Sequence, residues 1–465
     1  MRMQLTGHPT LTPPSAPPST GTGALRLALA AATGCLLAGV AAHPAMAQNV
    51  PQPASATGTT PAKPAKPAAV PWQIDSAVLL YAEGDNRVRA VEPMIGMRRT
   101  DADDRTLAVR LTLDTLTGAS PNGATPQPAA QTFTSPSGEG SYSVPAGQAP
   151  LDSSFKDTRG AVNVSYDRPW GENRRLSVGA NVSAEYDFKS FGFNTSLSQD
   201  FNQKNTTLSV GLAGEYNLVN AVGGTPLGLG VHSARARIEA NQNRQIGDLL
   251  FGLTQVMNRR WLMQFNLGLG RSTGYHSDPY KLLSVVNGSS GLLSGDQYLS
   301  ENRPDTRSRT SLFWLNKLHL GTEVLELSLR HYRDDWGVRA NTVDGKWRHQ
   351  YSGGIYVEPH LRLYKQGAAE FYRGWLVDGV DHDSTTHQAR LAYASADQRL
   401  AAFSAQTVGL KVGLPVGTGG EFSVRLESYR QKLKQPAGAP GYLATVPVSP
   451  DLKSTLLMAS YSFVW

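Results

Sequence analysis

The sequence predicts an all-β protein, a transmembrane antiparallel β-barrel of about sixteen strands, within a range of about 14–18, after a cleaved signal peptide and a disordered leader. Three features predict this class. Apolar and polar residues alternate over segments of about ten residues, which is the length of a tilted membrane strand. No long apolar segment follows residue 47, and the last strand ends in aromatic residues.

The composition of the 465 residues suits many strands joined by turns, because 40% are hydrophobic, 17% are charged and 46 are glycine. A chain of this length has room for one large barrel or for two or three soluble domains. The net charge of +7 comes from scattered residues rather than from a basic patch. We therefore expect no nucleic-acid binding.

The beginning of the chain predicts export. An apolar run from Leu27 to Ala42 follows Arg26 and precedes Ala45-Met46-Ala47, a small-x-small pattern typical of signal-peptidase cleavage, so residues 1–47 are expected to be a signal peptide. A membrane anchor and a lipoprotein at Cys35 are alternatives that the residues leave open. Cys35 is the sole cysteine and would leave with the signal, so no disulfide, iron–sulfur cluster or cysteine-bound zinc is expected.

Residues 48–71 are rich in proline and alanine and are expected to form a disordered periplasmic leader, because such a composition cannot bury a core. The barrel is expected to occupy residues 72–465. A plain tether is the simplest interpretation of the leader, and contact with peptidoglycan is an alternative.

Alternation with a period of two begins after Trp72 and sends successive side chains to opposite faces of a strand. In Leu107 to Asp114, four apolar residues alternate with Ala108, Arg110, Thr112 and Asp114. A soluble β-sandwich could also produce this pattern. The barrel is favoured because backbone amides in hydrocarbon must be paired within a closed sheet or a helix. The final strand adds Tyr461, Phe463 and Trp465 on one face, which we interpret as an assembly signal.

Strand parity gives a test of the assignment, since these barrels use an even number of strands with long loops on one side. We predict strands at 74–83, 88–98, 105–115, 159–168, 174–188, 190–200, 206–218, 247–257, 259–271, 307–320, 324–334, 337–349, 355–376, 400–413, 421–432 and 454–465. The long connections 116–158, 219–246, 272–306, 377–399 and 433–453 then all lie on the external side.

This assignment has particular consequences along the chain. Parity requires 355–376 to be one long strand that rises beyond the membrane. Pro93 and Pro359 should disturb their strands, because proline cannot donate to a ladder. An aromatic girdle is expected near the periplasmic ends, formed by Trp72, Trp170, Trp261, Trp347 and Trp465, with Trp336 and Trp375 on the external side.

Several blocks of sequence resemble a known family. They are Asp278-Pro279-Tyr280-Lys281, Arg303-Pro304 with Arg307, Arg330 to Gly337, Glu358 to Tyr364, Ala368 to Tyr372 and Ser395 to Leu400. With these blocks the chain from Trp72 to Trp465 resembles the bacterial family catalogued as domain of unknown function 3570. His331 and Leu363 stand where that family more often shows tyrosine. The resemblance implies an outer-membrane barrel and supplies no activity, substrate or catalytic residue.

If the apolar faces point to lipid, the opposite faces line a lumen that carries both signs of charge. The residues predicted to line it are Arg110, Asp114, Glu185, Glu215, Glu326, Arg330, Glu358, His360, Arg362, Arg425 and Glu427. Such charges can select solutes, or can pair with one another and stabilise the wall or an inward loop.

Other polar motifs have simpler interpretations than catalysis or metal binding. Asp334-Asp335-Trp336-Gly337 is expected to be a tight turn with solvated acids and Trp336 at the interface. His382-Asp383-Ser384 and Tyr275-His276-Ser277 offer pairs for a hydrolase, but both lie in predicted loops. For calcium, the adjacent acids Asp334 and Asp335 supply fewer oxygens than the ion needs, and Asp378, Asp381 and Asp383 in an external loop form a slightly better cluster. We therefore expect no enzyme activity, cofactor or metal.

The expected function is a porin-like barrel or conduit that passes small polar solutes, or houses a partner, across the outer membrane of a Gram-negative bacterium. The alternatives are a plugged structural or envelope-assembly barrel and an outer-membrane hydrolase. Outer-membrane lipid and the barrel-assembly machinery are the expected partners, with a periplasmic protein as a further candidate. The sequence leaves the solute and the oligomeric state open.

Overall fold

Sixteen antiparallel strands pair in chain order and close into a barrel in the computed structural model. The structure describes residues 70–465 except 86, 135–140, 233–236, 239–240 and 418, and leaves out the side chains of 153–155 and 237–238. The predicted signal peptide and nearly all of the predicted leader lie outside the described residues.

Each predicted strand corresponds to one barrel strand. In chain order the barrel strands are β1 Gln73–Glu83, β2 Arg89–Thr100, β3 Thr106–Pro121, β4 Leu151–Pro169, β5 Arg174–Ala184, β6 Phe188–Phe201, β7 Thr206–Val219, β8 Gln242–Asn258, β9 Trp261–Gly274, β10 Thr306–Leu320, β11 Glu323–Asp334, β12 Arg339–Gln350, β13 Tyr356–Gln366, β14 Phe403–Val416, β15 Gly420–Leu433 and β16 Leu452–Val464. The prediction of an all-β barrel of sixteen strands is confirmed.

The barrel closes where β1 pairs with β16 from Gln73 opposite Val464 to Glu83 opposite Ser454. Beyond that ladder the amide nitrogens of Trp72 and Trp465 each donate to the other residue's carbonyl oxygen at 2.8 Å. Every barrel strand therefore has two neighbours, which satisfies the backbone groups that hydrocarbon would leave unpaired.

Burial alternates along the strands as the period of two predicts. In β1 the side chains of Val78 and Leu80 are 43% and 44% exposed, whereas those of Leu79 and Tyr81 are 4% and 2% exposed. Exposed large apolar side chains recur on the outer face around the barrel, for example Leu113, Val182, Leu212, Leu312 and Leu426. An outer face of this kind is solvated by acyl chains rather than by water.

The two ends of the barrel differ. The first strand residue, Gln73, and the last, Val464, lie at the same end of the barrel. The connections at that end are short turns such as 170–173 and 259–260, and we name it the turn end. The opposite end, the loop end, carries the long connections 122–150, 220–241, 275–305, 367–402 and 434–451. These connections are shorter at several boundaries than predicted, because strands such as β3 and β4 continue further toward the loop end.

The prediction of one strand over 355–376 is wrong. β13 ends at Gln366, and the next residues turn over the loop end, where Gly367 N donates to Arg339 O and Ala369 N to Leu400 O. Leu376–Val377 instead pairs in parallel with residues 285 and 286 of another loop. The apolar residues of 368–376 therefore belong to a loop core, and parity holds because 367–402 is one connection.

The predicted strand 174–188 is also too long. β5 ends at Ala184 and β6 begins at Phe188, so residues 185–187 form a tight hairpin between them. Glu185 N donates to Phe188 O at 2.8 Å across this hairpin. Glu185 is therefore at the loop end rather than along a strand face.

Pro93 and Pro359 disturb their ladders as expected. The β2–β3 ladder passes from Val91 opposite Thr115 to Met94 opposite Thr112, and the residues between them are unpaired on that side. The β12–β13 ladder has a similar gap beside Pro359. The register of the two strands is the same before and after each gap. Each proline therefore removes local hydrogen bonds from the ladder without shifting the strand.

The loop-end connections pack into a structure that we name the loop cap, formed by the described residues of 122–150, 220–241, 275–305, 367–402 and 434–451. At its centre is a three-stranded sheet in the order Leu293–Ser300, Leu282–Val286, Leu376–Val377. One apolar cluster of the loop cap includes Leu283, Val285, Leu299 and Leu376, all fully buried. The cap therefore has a core of its own beyond the barrel wall.

Tryptophans lie at both ends. Trp72, Trp170, Trp261, Trp347 and Trp465 are all at the turn end, as predicted for a girdle, with Trp170 and Trp347 half-exposed. Trp336 and Trp375 are at the loop end but are buried inside the loop cap. Within the described residues, no helix has the length and hydropathy needed to cross a membrane.

Candidate functional site

A continuous chain of ion pairs lines the inner face of β12, β13 and β15. At its turn-end side, Arg348 Nε is 2.9 Å from Glu358 Oε2. Arg425 Nη2 is 3.3 Å from Glu358 Oε1, and Arg425 Nη1 is 3.1 Å from Glu427 Oε1. Arg425 and Glu427 are almost completely buried, so their charges are stabilised by each other rather than by bulk water.

The chain continues through His360. Its Nδ1 is 2.9 Å from Glu427 Oε1, and its Nε2 is 2.9 Å from Asp344 Oδ2. Arg362 Nε donates to the same Asp344 oxygen at 2.6 Å. Five predicted lumen residues, Glu358, His360, Arg362, Arg425 and Glu427, are thus brought into one network, and the pairing partners Arg348 and Asp344 were missed.

A glycine makes part of this network possible. Gly409 of β14 lies between His360 of β13 and Glu427 of β15 in the same row of the sheet. A Cβ atom on Gly409 would be 2.8 Å from Glu427 Cγ. The missing side chain lets the imidazole and the carboxylate meet above the intervening strand.

The inner face is not polar throughout. An apolar cluster covers it on β16, β1, β2 and β3, and consists of Ala77, Leu79, Tyr81, Val88, Ala90, Met94, Leu116, Leu456 and Met458. This sector of the inner face is therefore apolar, a feature that the predicted set of charged lumen residues does not include. The sequence of β1 indicates this apolar sector, because the four consecutive residues from Val78 to Tyr81 place apolar side chains on both faces of the strand.

The remaining predicted lumen residues are distributed around the wall. Arg159 Nε donates to Asp114 Oδ2 at 2.7 Å, and both side chains are buried. Arg110 lies on the inner face of β3, four residues nearer the turn end. Asn217 Nδ2 donates to Glu215 Oε1 at 2.7 Å on β7.

On β11, Glu326 lies 3.6 Å from the Nζ atoms of both Lys317 and Lys346. The guanidinium carbon of Arg330 is 5.2 Å from the centre of the Phe313 ring on β10. These contacts are cross-strand pairs within the wall, and they connect β10, β11 and β12 on the inner face.

Glu185 belongs to a buried group of carboxylates at the loop end. One oxygen from each of Asp157, Glu185 and Asp187 lies within 4.8 Å of the others. Tyr280 Oη donates to Asp187 Oδ2 at 2.6 Å. Burial, together with the neighbouring Asp157 carboxylate, raises the pKa of Glu185 well above its ordinary value. The group can share a proton, and it offers three oxygen ligands to a hard cation.

The loop cap contains a second buried charge cluster, which sequence reasoning did not assign to a site. Arg303 Nη2 is 2.7 Å from Asp397 Oδ2, and Arg303 Nε is 2.6 Å from Glu301 Oε1. Arg399 Nη2 is 3.0 Å from Asp278 Oδ2, and Arg399 Nε donates to Asp397 Oδ1 at 2.8 Å. Four of these five residues come from the sequence blocks that carry the family resemblance.

The electrostatics of this cluster favour ionised carboxylates. Burial alone would raise the pKa of Asp397, but the guanidinium groups of Arg399 and Arg303 outweigh burial and hold that pKa well below its ordinary value. The cluster joins loop 275–305 to loop 367–402. Its direct role is thus to fix the two loops against each other over the loop end.

The Asp334-Asp335-Trp336-Gly337 block forms a tight turn, as predicted, but its environment differs from the prediction. Asp334 Oδ1 accepts from the backbone nitrogens of Trp336 and Val338, and its other oxygen accepts from Arg307 Nε at 2.8 Å. Only Asp335 is exposed. Trp336 is 4% exposed and packs against Arg307 and Phe371 instead of lying at the lipid interface.

The candidate hydrolase pairs are engaged in loop structure. His382 Nε2 is 2.6 Å from Asp296 Oδ2, while Ser384 Oγ accepts from Asp296 N. His276 Nε2 is 2.9 Å from Ser272 Oγ, and Ser277 Oγ accepts from Arg303 N. Each of these histidines and serines thus has a hydrogen-bond partner outside its own predicted pair.

The three acids considered for calcium are likewise used by turns. Asp381 Oδ2 accepts from Val377 N, and Asp378 Oδ1 accepts from Ser384 N. Asp383 Oδ1 accepts from the backbone nitrogens of Thr385 and Thr386. Within the described part of the chain, the carboxylates that gather are those around Glu185 instead.

A closed antiparallel sheet with apolar side chains outside and ion-paired side chains inside defines the class of transmembrane β-barrels. The chain belongs to the family described as Protein of unknown function (DUF3570), whose profile matches residues 27–463. The resemblance inferred from the sequence blocks is confirmed. A comparison with curated proteins gives no match.

Solved structures include similar barrels. OccK3 (OpdO) of Pseudomonas aeruginosa is 9% identical with a TM-score of 0.37, covering 85% of this chain and 96% of its own. A bacterial polysaccharide outer membrane secretin is 6% identical with a TM-score of 0.41, covering 84% and 98%. The siderophore receptor PirA of Acinetobacter baumannii is 9% identical with a TM-score of 0.38, covering 79% and 54%. Similarities this distant transfer no substrate or mechanism to this chain.

Proposed function

We propose that this protein is an outer-membrane conduit of the porin type, through which small polar solutes pass along a lumen narrowed by the loop cap. One observation carries the proposal: a closed sixteen-stranded wall separates an apolar outer face from an inner face that carries a chain of ion pairs along β12, β13 and β15. A barrel of this size can enclose water, and a charged wall offers solutes replacement contacts for lost hydration.

The turn end supports a polar entrance. Inward-facing side chains there, such as Arg98, Asn163, Ser165, Asn266 and Ser460, are polar and at least partly exposed. Toward the loop end, inward-facing residues are buried beneath the loop cap. The lumen would therefore be wide at the turn end and constricted at the loop end, where the cap selects by size.

Charge selection by this lumen should be weak. The charges along β12, β13 and β15 alternate in sign and neutralise one another within hydrogen-bonding distance. A paired wall exerts little net field on a passing ion, in contrast to a ring of one sign. We therefore infer a preference for neutral or zwitterionic polar solutes.

Orientation follows from topology. In barrels of the Gram-negative outer membrane, short turns face the periplasm and long loops face outward. On that basis the loop cap is external, and the outer-membrane lipid and the barrel-assembly machinery are the partners, the latter through Tyr461, Phe463 and Trp465. A periplasmic protein that docks at the turn end stays a further candidate partner.

Conductance in planar bilayers tests the conduit. The mature protein should give small, stable channels with nearly equal cation and anion permeability. Arg303→Met should enlarge them, because it leaves the carboxylates of the loop cap without their central cation. Arg430→Gln, on the outer face of β15, serves as the matched control and should conduct like the natural protein.

A second candidate, a closed structural barrel, is favoured by the separate apolar clusters of the loop cap. It predicts no current from either the natural protein or Arg303→Met, although both fold and insert. That result would overturn the conduit. Recovery of the folded protein outside the outer-membrane fraction would overturn both candidates.

A further inference from the structure

A groove of about 1010 Å³ lies on the outer face of the barrel near the loop end, between β6 and β12. Its floor follows one row of the sheet, in which Phe193, Gly214, Gly247, Arg271 and Ser308 are successive cross-strand neighbours. The inner-face residues of these strands alternate with this row, so the groove opens toward the membrane rather than toward the lumen.

Two glycines form the depression. Gly214 and Gly247 are directly opposite each other on β7 and β8. A Cβ on Gly247 would meet nothing within 4 Å, whereas a Cβ on Gly214 would lie 2.6 Å from the Phe193 ring. The phenyl ring therefore leans over Gly214, and the space above Gly247 is open.

The side of the groove nearer the membrane centre is apolar. Leu212, Leu249 and Leu269 are neighbours in the next outward-facing row toward the turn end. Leu212 and Leu269 are among the exposed large apolar side chains, and Phe193 is the most exposed phenylalanine among the side chains that the structure describes. These surfaces suit acyl chains.

The side nearer the loop end is basic. Arg271, Arg333 and Arg339 line the groove and are exposed, and Arg333 is directly opposite Arg339 in the β11–β12 ladder. Like charges in opposite positions of a ladder repel each other. Among the described residues, none of the three guanidinium groups has a carboxylate within ion-pair distance, so their charge is uncompensated by the protein.

The acids near the groove do not neutralise these arginines. Asp334 and Asp248 contribute to its lining but direct their carboxylates to Arg307 and Arg309. Asp335 Oδ2 accepts from Ser308 N at the rim. The outward-facing lining thus holds three guanidinium groups and one carboxylate.

The basic character extends around the barrel at the same height. Outward-facing, exposed lysines and arginines toward the loop end of other strands include Lys156, Lys189, Lys365, Arg430, Lys432 and Lys453. No outward-facing strand position toward the loop end carries an acid in the part of the chain that the structure describes. Such a belt matches the level of anionic headgroups in the surrounding leaflet.

We infer that this groove binds a phosphorylated acyl lipid of the leaflet at the loop end, with its phosphate on Arg271, Arg333 and Arg339 and an acyl chain along Phe193 and the three leucines. Arginine recognises phosphate through paired hydrogen bonds. A free phosphate would leave the apolar half of the groove unused. The inference rests on the proposed membrane orientation of the barrel.

Lipid retention by the full-length protein tests this site. Detergent-purified protein is incubated with bisphosphorylated lipid A, with its dephosphorylated form or with inorganic phosphate, and bound lipid is counted by native mass spectrometry. We expect the natural protein to retain bisphosphorylated lipid A about tenfold more strongly than the dephosphorylated form. Inorganic phosphate should neither bind nor compete.

Two variants probe the two halves of the groove. Replacement of Arg271, Arg333 and Arg339 by Gln should reduce retention about tenfold or more, because each cation near a headgroup adds to binding. Gly247→Phe should also reduce it by filling the open floor without a change in charge. The matched control replaces Lys365, Arg430 and Lys432 by Gln, which removes the same charge outside the groove and should leave retention within about twofold of the natural protein.

Each contrary result is decisive. If the control triple variant loses as much lipid retention as the groove triple variant, binding is due to a diffuse basic belt, and the assignment of the lipid to the groove is overturned. Equal retention of the dephosphorylated lipid, or saturable binding of inorganic phosphate alone, would overturn the phosphorylated-lipid assignment. Bilayer conductance of the same variants is the separate readout for the conduit, and it should not change when lipid retention falls.

Discussion

Arg303 Nη2 and Asp397 Oδ2 are 2.7 Å apart although the two residues belong to different loops, and both side chains are at least 95% buried. Each residue comes from a sequence block that carries the family resemblance. Their contact ties the connection after β9 to the connection after β13. Removal of either partner should therefore loosen the attachment of the two loops to each other.

Arg303→Met should destabilise the loop cap by about 3–5 kcal/mol, because breaking a buried ion pair leaves the remaining charge uncompensated. We expect rapid proteolysis within 275–305 and 367–402 in a barrel that still resists unfolding. Arg303→Met combined with Asp397→Leu should recover part of that loss. A double variant that is as labile as the sum of both single variants would show that the two residues do not interact.

Gly409→Ala should weaken the barrel wall by about 1–3 kcal/mol, because the new methyl group overlaps Glu427 and disrupts its contact with His360. Gly160→Ala is the matched control, since a Cβ there meets nothing within 4 Å. Urea unfolding of both variants in the same detergent, followed by tryptophan fluorescence, checks the difference. Equal midpoints for the two variants would mean that the space above Gly409 is not required.

Glu185 should make the loop end less stable as the pH rises. Burial and the neighbouring Asp157 raise its pKa in the folded protein above the value in the unfolded chain. The protonated form therefore contributes stability that is complete below the ordinary carboxyl pKa and is lost as the pH rises through the raised value. Arg159, Asp187 and Tyr280 also surround this group.

Glu185→Gln should remove that dependence. Between about pH 5 and about pH 9, the unfolding midpoint of the natural protein should fall more than that of the variant, measured by protease resistance of the loop end. Asp103→Asn, at an exposed turn-end position, provides the control and should follow the natural protein. A parallel pH profile for Glu185→Gln and the natural protein would contradict the prediction.

Trp336→Ala should open the loop cap near β11 and β12. The indole is buried against Phe371, lies under the Arg307 guanidinium, and donates from Nε1 to Thr306 O at 2.7 Å. Loss of a buried tryptophan costs about 3–5 kcal/mol, so cleavage within 367–402 should accelerate. Trp336→Phe keeps most of the apolar contact and should be cleaved at an intermediate rate. Unchanged cleavage of Trp336→Ala would place Trp336 outside the cap core.

The sequence predicted the barrel strands well because lipid imposes an apolar residue at every second position. That constraint ends above the hydrocarbon, which explains why the continuations of β3 and β4 were missed. Lys156 and Thr158, for example, face outward there without being apolar. The paired backbone continues where the hydropathy pattern does not.

The inner face was predictable in composition but not in contacts. The alternation of apolar and polar residues assigns both His360 and Glu427 to the lumen face. Their contact, however, depends on the register of β13, β14 and β15 and on the space at Gly409. The loop cap was harder still. Its ion pairs join residues such as Arg303 and Asp397 through loops that have no repeating pattern, and the apolar residues after Gln366 resembled a continued strand.

The pairing of β1 with β16 also determines the order of events during biogenesis. Those two strands are the most distant in the chain, so we expect their hydrogen bonds to form late. Until then the growing sheet displays two rows of unsatisfied amides that can recruit other chains. A chain with two such open edges is exposed to pairing with other chains until its first and last strands meet.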